Sequence, residues 1–194
     1  GLSGSTTTAL LASAVLRTNP GATVLHNLIC SRSVPEVIAE HGGVPIRTKV
    51  GHSYIKERML ETDAVFGGEH SAHYYFAGNF RADSGLIASV LLLAELSRAE
   101  EALSVLRKPF ERYASSGEIN TQVDDPVTVI EQVSAKFDQH DQDRLDGLSV
   151  DCGRFWFNLR PSNTEPLLRL NLEAVDRNEC DDRVADLLSL ITQT

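Results

Sequence analysis

The sequence predicts an α/β protein built from two domains in succession. The first is an α/β sandwich with a mixed, mostly parallel sheet. The second is an α+β domain with an antiparallel sheet and helices on one side. Three observations carry this. Helical and strand-like segments alternate from the start to about residue 105, the pattern of parallel strands joined by crossover helices. Two later runs, 155–160 and 168–172, alternate apolar and polar residues with period two, as in an antiparallel hairpin with one face buried. The chain has 194 residues, 42% of them hydrophobic and 23% charged, enough for two small globular domains. The domains are expected at 1–105 and 106–194.

Taken in order, Ser5 to Leu16 reads as a helix, Asn19-Pro20-Gly21 as a turn and Ala22 to Leu28 as a short apolar strand. Pro35 opens a second helix that Gly42-Gly43 closes. Pro45 to Val50 is strand-like, and Ser53 is placed to cap a helix with Ile55 and Met59 on one face. Ala64 to Phe66 reads as a buried strand, Gly67 to His73 as a loop and Tyr74 to Phe76 as a strand, with Asp83 capping a helix that runs to Ser97. Further on, Ala99, Leu103, Leu106 and Phe110 form a helical stripe that stops near Pro109 to Tyr113. Ser115-Ser116-Gly117 is a break, Gly117 to Val123 a strand, Pro126 to Phe137 an amphipathic helix and Asp138 to Gly147 a polar turn. After the hairpin, a last helix places Cys180, Val184, Leu187, Leu188 and Ile191 on one face, and Asp176 and Glu179 have capping-box spacing.

Composition excludes some functions. The net charge of −9 opposes a nucleic-acid partner, whose phosphate backbone attracts basic surfaces. It does not oppose a small phosphorylated ligand, which a few arginines and backbone amides can hold. No apolar run reaches the roughly 20 residues of a membrane span, and Gly1 to Thr8 is not patterned as a secretory signal. The three cysteines, Cys30, Cys152 and Cys180, lie far apart, as free thiols in a reducing cytoplasm do.

Two loops carry chemistry. Arg160-Pro161-Ser162-Asn163-Thr164-Glu165-Pro166 joins the hairpin strands. Its clustered backbone N–H groups and hydroxyls suit an anion-binding concavity, and Arg160 adds a planar charged fork. The same residues also suit an ordinary polar turn. In Gly67-Gly68-Glu69-His70-Ser71-Ala72-His73, Glu69 and Ser71 can bracket vicinal sugar hydroxyls, and His73 can exchange protons near neutral pH. A structural loop in which Glu69 caps a neighbouring element is the competing reading. A metal site on Glu69, His70 and His73 lacks another ligand nearby and the helix that such spacing needs. Ser71 and His73 as nucleophile and base lack the Gly-x-Ser-x-Gly elbow. Asp141-Gln142-Asp143-Arg144 has too few carboxylates in register for a cation loop and reads as a solvated charged turn. No metal site is expected in this chain.

The segment Arg160 to Pro166 resembles the phosphate-binding loop in the fourth domain of the phosphomannomutase/phosphoglucomutase (alpha-D-phosphohexomutase) family. Gly67 to His73 is similar to the sugar-binding loop of that family's third domain, with Ala72 where Gly is usual. Val50-Gly51-His52-Ser53-Tyr54-Ile55-Lys56 also looks like the family, which makes His52 a cleft candidate. The resemblance runs in family order over nearly the whole chain. It implies that Glu69, Ser71 and His73 contact the sugar, and that Arg160, Ser162, Asn163 and Thr164 grip the non-reacting phosphate. His73 and His52 are the only candidates for a catalytic part.

The activity implied is isomerisation of hexose 1-phosphate and hexose 6-phosphate through a phosphoserine enzyme and a hexose bisphosphate intermediate, which also serves as activator. Mg²⁺ is expected in the full-length enzyme, with its ligands outside this chain. The expected partners are hexose phosphates and the family's N-terminal domains, with no nucleic acid and no membrane. Neither the phosphoserine loop nor the Mg²⁺ loop is in the sequence, so this chain alone is expected to be inactive. A stand-alone phosphosugar-binding module without catalysis is the alternative.

Overall fold

Residues 1–162, 165 and 167–192 are described by the computed structural model, in two compact units, Gly1–Arg112 and Tyr113–Thr194. In the first unit, helix α1 (Gly4–Thr18) begins where the Ser3 hydroxyl accepts the Thr6 N–H at 3.0 Å, filling one of the donors that a helix start leaves open. Strand β1 (Thr23–Asn27), helix α2 (Ser33–Glu40), strand β2 (Val44–Thr48) and helix α3 (His52–Thr62) follow. Then come β3 (Phe66–Gly68), β4 (Tyr74–Phe76), the two-residue strand β5 (Ala82–Asp83) and helices α4 (Gly85–Ala99) and α5 (Leu103–Leu106).

The sheet order is β2-β1-β3-β4-β5. β1 is parallel to β2 and to β3, whereas β3–β4 and β4–β5 are antiparallel. Alternation along β1 feeds two cores. Val24 joins Leu10, Leu11, Val34, Ile38 and Phe66 beneath α1 and α2, while Leu25 joins Ile55, Met59 and Tyr75 beneath α3. The first unit runs past the expected limit at residue 105 because Leu106 and Phe110 pack on its core. Arg112 binds Glu36 at 2.9 Å and Glu40 at 2.6 Å, both on α2.

Several local expectations are corrected. Ser53 does not cap α3: the helix starts one residue earlier, after Gly51 at φ 128°. Asp83 does not cap α4; Ser84 does, its hydroxyl accepting the Ile87 N–H at 3.2 Å. Gly67 and Gly68 belong to β3 rather than to a loop. A side chain at Gly68 would lie 2.3 Å from the Thr8 hydroxyl, so the glycine is what lets α1 lie this close to the strand. The stripe from Ala99 to Phe110 is not one helix. Glu100 turns left-handed at φ 55°, and α5 and a 3₁₀ turn at 108–110 replace it.

In the second unit, strand β6 (Ala114–Gln122) takes in the expected break at 115–117, absorbing Gly117 at φ 69° while its partner strand shifts register between Asn171 and Glu173. Asp125 caps α6 (Pro126–Lys136), accepting the Val127 and Thr128 N–H groups. The expected polar turn at 138–147 contains an edge strand, β7 (Asp141–Asp143), paired to β8 (Leu148–Asp151), which the alternation did not reveal. Gln142 ties β7 to α6 through Ser134 and the Phe137 carbonyl, so polar residues hold an edge that apolar patterning cannot mark. Strands β9 (Phe155–Pro161) and β10 (Leu167–Ala174) form the expected hairpin, and α7 (Arg177–Thr192) closes the unit. The sheet order is β6-β10-β9-β8-β7, antiparallel throughout. Phe157, Leu159, Leu170 and Leu172 face Val129, Val133, Leu187 and Ile191 of the two long helices. Among the described residues no helix is long and apolar enough to cross a membrane.

Candidate functional site

The first unit gathers its candidate residues at the C-terminal ends of β1, β2 and β3. From β1 the chain crosses to β2 on one side, and β3 lies on the other, so the strand order reverses between β1 and β3. Crevices at such switch points are where open α/β sheets hold ligands. Asn27 ends β1 and Glu69 follows β3, and the Asn27 amide donates to Glu69 Oε1 at 3.3 Å across that point. The Gly51 N–H donates to the same oxygen at 3.0 Å, and the Tyr75 hydroxyl donates to Oε2 at 2.8 Å. Glu69 is only 2% exposed, so its carboxylate is held almost wholly by protein donors. Burial, and then the bond to Glu69, push the Tyr75 phenol well above its ordinary range, so it stays protonated and donates.

The rest of the loop is docked on the start of α1. The Ser5 hydroxyl meets His70 Nδ1 at 3.0 Å and accepts the Ser31 N–H at 3.0 Å. A side chain at Gly4 would sit 2.1 Å from the His70 carbonyl oxygen. The Asn27 side-chain oxygen accepts the His70 N–H at 3.3 Å and the buried Cys30 thiol at 3.2 Å. Ala72, at the position where the resembled loops carry glycine, has φ 66°, the left-handed backbone that glycine adopts freely and alanine does not. Ser71 and His73 are exposed on either side of it. His73 Nδ1 lies 2.7 Å from Asp83 Oδ2.

His52 is the first residue of α3 and is exposed. The structure brings its neighbour Gly51 onto Glu69 through the backbone, whereas the His52 side chain has no recorded part in that network. Beneath the site, burial pulls the His26 imidazole down to about 4, so it is neutral in the folded chain. No group of three or more His, Cys, Asp or Glu side chains that could hold a metal ion occurs among the described residues. The Asp141–Asp143 segment is an edge strand in which Asp143 accepts the Leu145 N–H, and Arg144 pairs with Glu131.

In the second unit, β9 and β10 present Arg160 and Arg169 directly opposite each other. Two like charges facing across a ladder repel, and Glu118 of β6 bridges them, 3.2 Å from Arg160 and 3.1 Å from Arg169. Arg169 also donates to the Ser162 hydroxyl at 3.2 Å. The Ser162 N–H closes the hairpin on the Leu167 carbonyl at 2.8 Å. Arg160 is 8% exposed, and among the described residues the Nε atoms of Arg160 and Arg169 are buried without a hydrogen-bond partner. Two cations against one carboxylate leave net positive charge beside the loop, the balance an anion would complete. Asn163 and Thr164, expected at the same place, lie outside the described residues.

Residue-by-residue reading missed Asn27, Tyr75 and Asp83 in the first unit, and Arg169 and Glu118 in the second. Arg169 was recoverable: alternation puts it on the same sheet face as Arg160. Asn27 and Tyr75 carry no local signal, because only the sheet brings them to Glu69.

Comparison with known proteins bears on the family and the fold. The family model described as phosphoglucomutase/phosphomannomutase, alpha/beta/alpha domain III, matches residues 3–113, and that of the C-terminal domain matches residues 118–190. A phosphomannomutase of Methanocaldococcus jannaschii is 42% identical over 192 residues, 99% of this chain and 43% of the relative. One of Salmonella typhimurium is 40% identical over 188 residues, 95% of this chain and 41% of the relative. The crystal structure of a phosphoglucomutase/phosphomannomutase family protein from Burkholderia thailandensis superposes with a TM-score of 0.83 at 29% identity, over 98% of this chain and 42% of that one. The chain thus spans about two fifths of the length of these curated relatives.

Proposed function

Because this chain belongs to the phosphoglucomutase/phosphomannomutase family, we propose that it forms the sugar-reading and phosphate-clamping part of an enzyme interconverting hexose 1-phosphates and hexose 6-phosphates. In that reaction the phosphoryl group passes through a phosphoserine and a bisphosphate intermediate, and Mg²⁺, held by residues outside this chain, would supply charge stabilisation. The serine and the metal ligands are supplied from outside this chain, so turnover is a property of the assembled enzyme.

The observation that carries the reading is the cationic pair beside the hairpin loop. Arg160 and Arg169 are held in place by Glu118, whose single carboxylate balances only one of their two charges, and a phosphate is an acceptor of the opposite charge. In this reading Arg160, Ser162, Asn163 and Thr164 grip the phosphate that is not reacting, and Arg169 joins them. Ser71 and His73 offer exposed polar groups to the sugar. Glu69 frames the sugar site. Among the described residues Tyr75 is the one donor to Glu69 Oε2, which keeps a lone pair for a sugar hydroxyl.

Calorimetric or NMR titration of the chain with glucose 1-phosphate tests this. Binding is expected for the phosphorylated sugar and hardly at all for free glucose. Arg160→Ala is expected to weaken it by roughly 1.5–3 kcal/mol, the worth of a charge-assisted pair. Equal binding of glucose with and without phosphate would refute the reading.

A further inference from the structure

The sequence assigns Asp83 to a helix cap, and the structure takes it away from that duty. Ser84 caps α4, and Asp83 stands on the edge strand β5, opposite Tyr75 of β4. Its two carboxylate oxygens have separate partners. Oδ1 accepts the backbone N–H of Tyr74 at 2.8 Å, and Oδ2 meets His73 Nδ1 at 2.7 Å. The first bond fixes the carboxylate to the sheet; the second reaches the ring at the end of the sugar loop. Both side chains keep contact with solvent, 53% exposed for His73 and 37% for Asp83, so the ring is accessible to a ligand. Among the described residues, Asp83 is the one hydrogen-bond partner recorded for the imidazole.

We propose that Asp83 is a positioning residue that holds His73 in the Nδ1–H tautomer and leaves Nε2 as the nitrogen that exchanges protons with the bound sugar. The physical reason is the asymmetry of the partner. An ionised carboxylate only accepts hydrogen bonds, so the ring nitrogen facing it must carry the proton. In the neutral ring the lone pair is then on Nε2. When Nε2 takes a proton from a hydroxyl, that O–H bond breaks as the N–H bond forms, its electron pair stays on the oxygen as the nucleophile, and the new positive charge on the ring lies beside a carboxylate already in place. Two other features hold the ring there. The left-handed turn at Ala72 sets the path into His73, and the His73 carbonyl accepts the Glu69 N–H at 3.0 Å, closing the loop behind it. The functional part of this inference rests on the phosphohexomutase reading above; the tautomer does not.

The test is the ¹⁵N long-range correlation spectrum of the chain, taken at a pH where the His73 signals are those of a neutral ring. In the unsubstituted protein His73 is expected to show a protonated Nδ1 and a bare Nε2. Asp83→Asn is the informative variant. An amide has one acceptor oxygen, which the Tyr74 N–H retains, so the –NH₂ group turns to His73 and Nδ1 must accept. The two ¹⁵N signals are expected to exchange character. A dominant Nε2–H tautomer in the unsubstituted protein, or an unchanged tautomer in Asp83→Asn, overturns the proposal. If the variant does not fold, the unsubstituted spectrum alone decides. Glucose 1-phosphate titrated into the same sample separates the two readings. Failure to bind removes the sugar role and leaves the tautomer assignment standing, whereas the wrong tautomer removes Asp83 as the positioning residue whatever binds.

Discussion

The two candidate loops differ in how far the protein has already satisfied them. Around Glu69, one buried carboxylate meets donors from Asn27, Gly51 and Tyr75, and little hydrogen-bonding capacity is left over. Around Arg160, two guanidinium groups share the single carboxylate of Glu118 among the described residues, which leaves one positive charge unbalanced. On the proposed reading the first site chiefly holds a shape and the second attracts a charge. The difference also follows chain distance. The donors to Glu69 come from three segments of the sheet and its loops, whereas Arg160, Ser162 and Arg169 lie on a single hairpin.

Acid should separate the two units most strongly. His26 is buried and neutral, with its pKa lowered from 6.5 to about 4. Between those values the unfolded chain binds a proton that the folded chain resists, so stability is complete above about 6.5 and is lost as pH falls towards 4. The loss is expected to reach up to about 3 kcal/mol and to level off below 4. Hydrogen exchange should show it in β1 and its neighbours and not in the second unit. His26→Leu should flatten the slope, and an equal acid loss in both units would break the contrast.

Glu69→Gln comes next. Glutamine offers one acceptor oxygen to three donors and turns an –NH₂ group on the remainder, at a cost of about 2 kcal/mol. Protection of the first unit against exchange should fall while phosphate binding stays nearly intact. A parallel fall in phosphate binding would mean that the carboxylate does more than hold the loops.

Arg169→Ala sharpens the other side. It leaves Glu118 to neutralise Arg160 alone, so glucose 1-phosphate should bind about tenfold more weakly, about 1.4 kcal/mol. Unchanged affinity in the titration would restrict the anion site to Arg160 and the loop. The smallest effect expected is that of Ala72→Gly. Relief of the left-handed alanine outweighs the extra freedom of glycine in the unfolded chain, for a net stabilisation below about 1 kcal/mol by thermal unfolding. A loss of stability there would show that the alanine methyl group has a packing role.

Much of this protein could be read from its residues in order. The alternation of Phe157, Leu159, Leu170 and Leu172 with polar neighbours specified the hairpin, the periodic apolar faces specified α6 and α7, and Pro35 with Gly42-Gly43 specified α2, because all these signals are local. The hairpin loop and Arg160 were legible for the same reason. The edge strand β7 was not, since its residues are held by Gln142 reaching α6 rather than by an apolar face. Nor was the fate of Asp83, which satisfies the local rule for a cap yet turns back to Tyr74 and His73 because Ser84 fills the cap.

What the sequence determined by itself, then, was the run of elements, the two loops and the charge placed in the second, since each depends on residues within a few positions of one another. Only the tertiary structure decided that Glu69 would be enclosed by Asn27, Gly51 and Tyr75, and that Arg169 would join Arg160 over Glu118. The physical reason is that a hydrogen bond or an ion pair is set by distance in space. The distances that matter here are made by strand pairing between segments far apart in the chain.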